Sequence, residues 1–558
     1  SGSLTPVSGG RTLQGRVEGP ADSTLLLVGR LVGQLLSLQA GEEAGRANSL
    51  ADVPPQALQA YLDGQRGWRA GRWADAFDGF GRALAADSTF ALAGLYHSLA
   101  AGWNLGSPPS PGPDIARANL HRLSERDRIL ASVILNLPGD STIAGRIAIR
   151  EQAASALADR AEAWYLLGDY IYHYGQLAGL NESEQEERAW AAFGRGLALD
   201  PGFGPILTHT ADRWLFGPAA DTARYRAMLD SVPSVGQDRW NTLLAAYVFA
   251  DSARLAIVAQ SGTLTDLFNL DLVSSWTGHS TDVIYWLRLR AARSTNQQER
   301  WTNLQAIRAT AWAAGRPIEA AGVTQEIRRL GPEFASVSDR ELVAAALFLD
   351  GDSVGAAAGA ERLGQMVRTA GSGAVGPEAL YAAWFSGLWG ARSGDRASAS
   401  AMAQSLRRWG PLQPTGSRRA IAGIGAGLLE LMATTDQADL RRRALALETI
   451  LEAGPIMDPL ATATANLLIA RALGEVREPA RAATAAGRYH QFDNVLHVTQ
   501  ANERARQALA AGDTTTAVRI WRYYLSFRNE AEPAQRAKDD LIRQELARLV
   551  GEPRPPTP

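Results

Sequence analysis

Apolar positions in this chain recur at spacings of four and three, the period of a helix face rather than of a strand. The run from Gln56 to Ser88 shows the pattern most fully. Ala76, Phe80 and Ala83 fall on one helix face, and their small–large–small order lets that face press closely on the helix before it. Gly64 marks the close approach, Gly71 the turn, and Asp87-Ser88 the end of the unit. The same order returns with Trp164, Leu167 and Gly168, followed by Ala189, Phe193, Gly196 and Pro201. Farther on, a turn glycine is followed seventeen residues later by a proline: Gly315 and Pro332 bracket Ala320 and Ile327, and Gly394 and Pro411 bracket Ala399 and Leu406. Gly512 lacks the proline but leads Ala517, Trp521 and Tyr524 at the same four-three spacing. Weaker hairpins fill 207–231, 338–368, 416–452 and 458–487, and 533–550 reads as a polar-faced closing helix. A hairpin of this size cannot bury its own apolar face, so its neighbours must cover it. The pattern predicts an all-α solenoid of helical hairpins beyond residue 53.

The first 52 residues break the pattern. Thr12 to Val17 alternates and predicts one strand. Asp22 to Leu38 predicts an amphipathic helix, capped by Asp22-Ser23, with Leu26, Val28, Leu31, Val32 and Leu35 on its apolar face. Gly41 to Pro55 reads as a linker. A lone strand and helix cannot make a domain, so this part reads as a remnant of another one. The expected organisation is a strand–helix remnant and linker over 1–52, an N-terminal array over 53–260, a degenerate C-terminal array with a capping helix over 261–550, and a disordered tail over 551–558. Within the first array, Phe90–Trp103, Asp114–Leu135 and Ser141–Leu157 are expected as helices. Asn104–Pro113, with four prolines, is a surface loop. The acidic run 181–187 reads as a solvated extension, and 232–296 as helical, though it fits the pattern least.

Charge and composition remove whole classes of function. Lys and Arg number 56 against 58 Asp and Glu, so no basic footprint for nucleic acid or anionic membrane exists. There is no cysteine, which excludes disulfides, thiolate metal sites and cysteine nucleophiles. The start, SGSLTPVSGGR, is not a signal peptide. No apolar run reaches the roughly 20 residues of a membrane helix. The best, Leu25 to Leu38, is interrupted by Arg30 and Gln34.

Candidate chemistry is equally thin. Gly371-x-Gly373-x-x-Gly376 has the spacing of a dinucleotide fingerprint, but that chemistry needs a strand before it, and a helix precedes it here. Gly423-Ile-Gly-Ala-Gly427 reads as close helix packing. His490 and His497, two helical turns apart, form no H-E-x-x-H or comparable ligand pair, so no metal is expected. No G-K-[ST] occurs, and Lys538 is the one lysine, so P-loop, kinase and Ser-Lys hydrolase patterns are absent. No cofactor is expected, and the chain is not expected to be an enzyme.

With Gly64, Gly71 and the Ala76–Phe80–Ala83 face in place, the chain resembles the tetratricopeptide-repeat (TPR) family. That resemblance implies a right-handed superhelix whose ligands lie in a concave groove lined by fixed positions of each first helix. Carried onto this sequence, those positions are Tyr61, Gln65, Trp68 and Arg69 in the first repeat and Tyr165, Asp169, Tyr172 and His173 in the second. Trp384 and Arg392 qualify in the repeat ending at Pro411. The stretch Asp169-Tyr-Ile-Tyr-His-Tyr174 independently carries more aromatic groups than one core face absorbs. Element order also resembles the C-terminal half of bacterial multidomain signalling proteins, in which a Ser/Thr kinase or regulator precedes a TolB-like segment and TPRs. By that analogy, with a membrane span upstream, the array would lie on the extracytoplasmic, periplasmic side; a cytoplasmic place is the alternative. The function these features imply is a non-catalytic interaction or sensory scaffold that binds a protein or peptide partner in the groove. The alternatives are a solute- or glycan-binding helical protein and a structural subunit of a larger assembly.

Overall fold

A computed structural model describes the chain at every residue except 1, 5–11, 21–22, 40–41, 105–109, 138–141, 217–220, 232–238, 263–266, 268–269, 271–278, 332–333, 350, 489–495 and 552–558. Beyond the N-terminal strands the described elements are helices joined by short turns. The chain divides into two compact units. The first comprises residues 1–139, 146–169 and 189–249, and the second 140–145, 170–188 and 250–558.

In the first unit, β1 (Gly2–Leu4) pairs antiparallel with β2 (Leu13–Gly15), Gly2 opposite Gly15. The strand expected near Thr12 is therefore one half of a small ribbon. α1 (Thr24–Gln39) follows. Its expected apolar face is only partly covered: Leu35 is buried, while Leu26, Val28 and Val32 stand exposed. The stretch expected as a linker holds a seven-residue helix, α2 (Ala44–Leu50). The hairpins then begin: α3 (Pro55–Arg69) on α4 (Trp73–Ala86), and α5 (Ala91–Trp103) on α6 (Gly112–Ala118). α7 (Glu125–Ile134) and α8 (Ile143–Ala156) are tied by Arg150, which donates to the Val133 carbonyl at 3.2 Å. The helix expected over Asp114–Leu135 is thus two. Ser124 starts the second by accepting the Asp127 N–H at 3.1 Å, a side-chain cap that outcompetes continuation. α9 (Ala161–Tyr174) meets α10 (Glu182–Leu199), and α11 (Gly204–Phe216) meets α12 (Thr222–Ser231), before α13 (Arg239–Val248).

The repeated face packs as its spacing requires. Ala76, Phe80 and Ala83 are fully buried, as are Ala189 and Phe193. A Cβ on Gly64 would lie 2.7 Å from the Phe80 ring, and one on Gly168 would lie 2.6 Å from Phe193. Each glycine is the notch that receives the ring, and burying each ring is worth about 1.5–3 kcal/mol. The turn glycines Gly71, Gly315, Gly394 and Gly512 have φ of +72°, +72°, +85° and +85°, the left-handed conformation that ends a helix and that glycine alone adopts freely.

The second unit begins with α14 (Ser252–Ser261) and α15 (Ser280–Arg293) and continues through α16 (Gln297–Ala313), α17 (Pro317–Arg328), α18 (Ala335–Phe348), α19 (Ser353–Thr369) and α20 (Pro377–Ser393). α21 (Arg396–Trp409), α22 (Gly416–Ala433), α23 (Gln437–Glu452), α24 (Pro459–Glu475) and α25 (Pro479–Gly487) come next. α26 (His497–Ala510), α27 (Thr514–Phe527) and α28 (Pro533–Val550) close it. From α15 onward each helix packs on its successor, and α18, α20, α22, α24 and α26 also pack each on the next in that row. That double pairing is what an α-solenoid requires. Its core holds Trp384 and Trp409, both fully buried. The glycine-rich stretch 371–376 joins α19 to α20 as a loop between helices, not a strand-to-helix turn. Gly425 and Gly427 face Leu406, Trp384 and Leu447 at contact distance inside α22. Glu182, expected as solvated, instead accepts from Arg519 at 2.7 Å and Arg504 at 3.3 Å. Among the described residues no helix is long and apolar enough to cross a membrane.

Candidate functional site

The first unit gathers ionisable groups around α2. Arg46 is buried, and its guanidinium donates to Asp127 at 2.9 and 3.1 Å, to Glu42 at 3.0 Å and to Glu162 at 3.2 Å. The Tyr96 ring lies beneath it, 5.6 Å from Cζ, and the Tyr96 hydroxyl donates to Glu162 at 2.6 Å. Tyr61 donates to Glu42 at 3.3 Å and accepts from Gln65 at 2.8 Å. Arg160 donates to Asp127 at 2.8 Å and pairs with Glu43. Ser124 completes the shell of Asp127 at 2.7 Å. Burial pushes the Glu42 carboxyl above its ordinary value, with Arg46 only partly offsetting it. Burial acts the same way on Asp127 and Glu162, but Arg46, Arg160 and the neighbouring hydroxyls hold both below their ordinary values. Burial pushes the Tyr61 and Tyr96 hydroxyls well up, so both stay protonated donors.

Tyr61 and Gln65 therefore sit together and are buried, with Glu42, just before α2, on the Tyr61 hydroxyl. Trp68 and Tyr165 also meet, with ring centroids 6.0 Å apart, and both are buried. Trp103 donates to the Tyr165 hydroxyl at 2.8 Å, and His209 stacks on Phe193 and holds Asp169 at 3.0 Å. Trp103 and His209 carried no repeat signature in sequence; only the fold brings them here. Arg69 is exposed and pairs with Asp200 at 2.9 Å. In the second unit Tyr172 and His173 are half-buried neighbours, 5.1 Å between rings. Trp384 is core, against Tyr381 and Phe385, whereas Arg392 is exposed. His490 lies outside the described residues, and His497 starts α26 with its ring against Phe527.

The second unit holds an open cavity of about 760 Å³ bounded by α16, α18, α24, α26, α27 and α28. Its apolar wall includes Trp312, Phe348, Leu509, Trp521 and Leu541. Its charged groups are mostly cationic: Arg471, Arg506, Arg528 and Lys538 against Glu545. Arg528 is committed to the fold, bonded to Asp539 at 3.1 Å and to the Ala313 carbonyl at 3.3 Å. Arg471 and Arg506 share one carboxylate, Glu503, at 3.8 and 3.3 Å. Arg471 also lies 4.8 Å from the Phe348 ring, and burial pushes its guanidinium below the ordinary value. Trp521 is oriented by donating to Asn502 at 3.0 Å. Sequence spacing placed Trp521 and Tyr524 on a core face but gave no sign of the space beside them.

No family model matches this chain, and no curated protein matches it. Among solved structures it is similar to the P58(IPK) TPR domain, at 13% identity over 89% of this chain and 98% of that one, with a TM-score of 0.17. The helix pairing and the left-handed turn glycines of the chain itself define the solenoid.

Proposed function

We propose that the chain is a non-catalytic helical-repeat scaffold that captures a segment of a partner protein in the cavity of the second unit. The observation that carries this reading is the cavity itself. It is open, it is large enough for several side chains, and its lining combines Trp, Tyr and Arg, the residue types that dominate binding energy at protein interfaces. Two guanidiniums sharing one carboxylate leave a positive excess, so the favoured segment carries an acidic group beside an apolar anchor. The test is selection of binders from a random peptide library on the intact protein. Selected peptides are expected to be acidic-apolar and to lose at least about tenfold in affinity on Arg506→Glu, a change at a rim position. Peptides that bind the variant equally well would place capture elsewhere. The cavity volume also lies within the range of small-ligand pockets, which favours a second reading as a solute or glycan binder. Thermal stabilisation by a sugar library, abolished by Arg506→Glu, would select that reading instead.

A further inference from the structure

In the first unit, four successive first helices each bring one side chain to the space filled by Arg46. Tyr61 comes from α3, Tyr96 from α5, Asp127 from α7 and Glu162 from α9. These residues lie 15 or more positions apart along the chain, yet they converge on one guanidinium. The array supplies an aromatic floor, two carboxylates and the cation Arg160. Without α2 that set has one negative charge in excess, and two carboxylates beside a tyrosine ring fit the planar donor fork of a guanidinium.

The segment that meets the demand is weakly built. α2 has seven residues, Gly45 in its first turn and no side-chain cap, so it holds its shape only while docked. α1, which precedes it, leaves Leu25, Leu26, Val28, Val32 and Leu36 exposed, so the buried apolar side chains of the pair are few: Leu35 on α1 and Ala47 and Leu50 on α2. Beside the buried Ala47 and Leu50, what docks α2 is a crossed pair of ionic contacts. Its Arg46 meets Asp127 and Glu162, and Glu43, one turn earlier, meets Arg160. We propose that the Tyr61–Tyr96–Asp127–Glu162 cage is a guanidinium-recognition site for a helical segment of a partner protein carrying Glu-x-x-Arg, and that α2 occupies it in cis as a displaceable plug. The site rests on the reading of the chain as a partner-binding scaffold but shares no residue with the cavity.

The test uses the full chain and a labelled peptide spanning Glu42 to Asp52. Wild-type protein binds this peptide weakly, because α2 competes from within the same chain. The Arg46→Ala chain binds it at least about tenfold more tightly. The gain vanishes when the peptide carries Arg46→Lys, since an ammonium cannot reproduce the planar donor fork, or when the chain also carries Glu162→Gln. Arg506→Glu leaves this binding unchanged, so failure here and failure at the cavity are distinguishable. Equal binding by wild-type and Arg46→Ala chains, or equal binding of the Lys peptide, would overturn the proposal. Hydrogen exchange on the wild-type protein tests it without a variant. The α2 amides must exchange through a local opening that leaves α3 and α5 protected. Exchange of all three helices in one step makes α2 a fixed part of the fold and overturns the proposal. So does a wild-type dimer in which one copy's α2 fills the other's cage.

Discussion

The cage in the first unit and the cavity in the second are built from the same groups with opposite balance. Both set an arginine against an aromatic ring. Around Arg46 three carboxylates lie within 3.2 Å, and although burial works against its charge, they and the nearby tyrosines hold its pKa well up. Around Arg471 the nearest ion-pair partner is Glu503 at 3.8 Å, shared with Arg506, and burial lowers the arginine's pKa. Where carboxylates outnumber cations, the chain has folded its own arginine into the gap. Where cations outnumber carboxylates, the space stays open. The difference argues that charge balance, more than shape, decides whether a site on this scaffold is filled by the chain itself.

The strongest way to break the contrast is Asp127→Ala. It strips Arg46 and Arg160 of their shared acceptor and leaves two guanidiniums underpaired in a buried site. A loss of about 3–5 kcal/mol in first-unit stability is expected, read by denaturant dependence of hydrogen exchange in α3 and α5. A loss under about 1 kcal/mol would mean that water replaces the carboxylate and that the cage is not closed. Phe80→Ala tests the framework that presents the cage, since Phe80 stacks on Tyr96 at 5.5 Å and fills the notch at Gly64. It and Phe193→Ala should each cost about 3–5 kcal/mol through lost burial and a cavity. Near-wild-type melting of both would mean that the paired helices do not depend on these rings. On the other side of the comparison, Arg471→Met should be neutral or stabilising by up to about 1 kcal/mol, because an incompletely paired charge is removed from a partly buried place. A clear destabilisation would show that Glu503 needs Arg471 as much as Asp127 needs Arg46.

How far each site could be read from sequence follows from how it is assembled. The hairpins were legible because their signals are local. Gly71, Gly315, Gly394 and Gly512 mark left-handed turns, and the apolar residue pairs that follow them lie within one helix. Neither site is local. The cage joins residues 46, 61, 96, 127 and 162, and its key element, α2, has the composition of a linker: Gly45, Asn48 and Ser49 in seven residues. Ala44, Arg46, Ala47 and Leu50 favour a helix, but seven residues are too few to hold one alone; docking supplies the stability. The register of α3 marks Tyr61 and Gln65 as facing a binding surface, but it does not show that Glu42 meets the Tyr61 hydroxyl and that both residues are buried. The cavity is a space rather than a residue pattern, so Trp521 and Tyr524 read only as core.

The smallest expected effect sharpens the account of the cage, because its acids respond to pH in opposite directions. Burial raises Glu42 above its ordinary 4.5, so the native state takes up a proton there before the unfolded chain does. Stability therefore rises as pH falls through that raised value toward 4.5, and this part is lost again as pH rises. At Asp127 and Glu162, burial is outweighed by Arg46 and Arg160, so both fall below their ordinary 3.8 and 4.5. There the unfolded chain binds protons first, and the stability they give above pH 4.5 drains away as pH falls through the native values. The sum is a shallow maximum near pH 4.5, followed by a steady fall. The readout is protection of the α2 amides, corrected for intrinsic exchange rates. Glu42→Gln should flatten the maximum and leave the acid fall intact. A wild-type profile that falls monotonically from neutral pH would mean that Glu42 titrates as a solvated group, and that α2 already stands open to water.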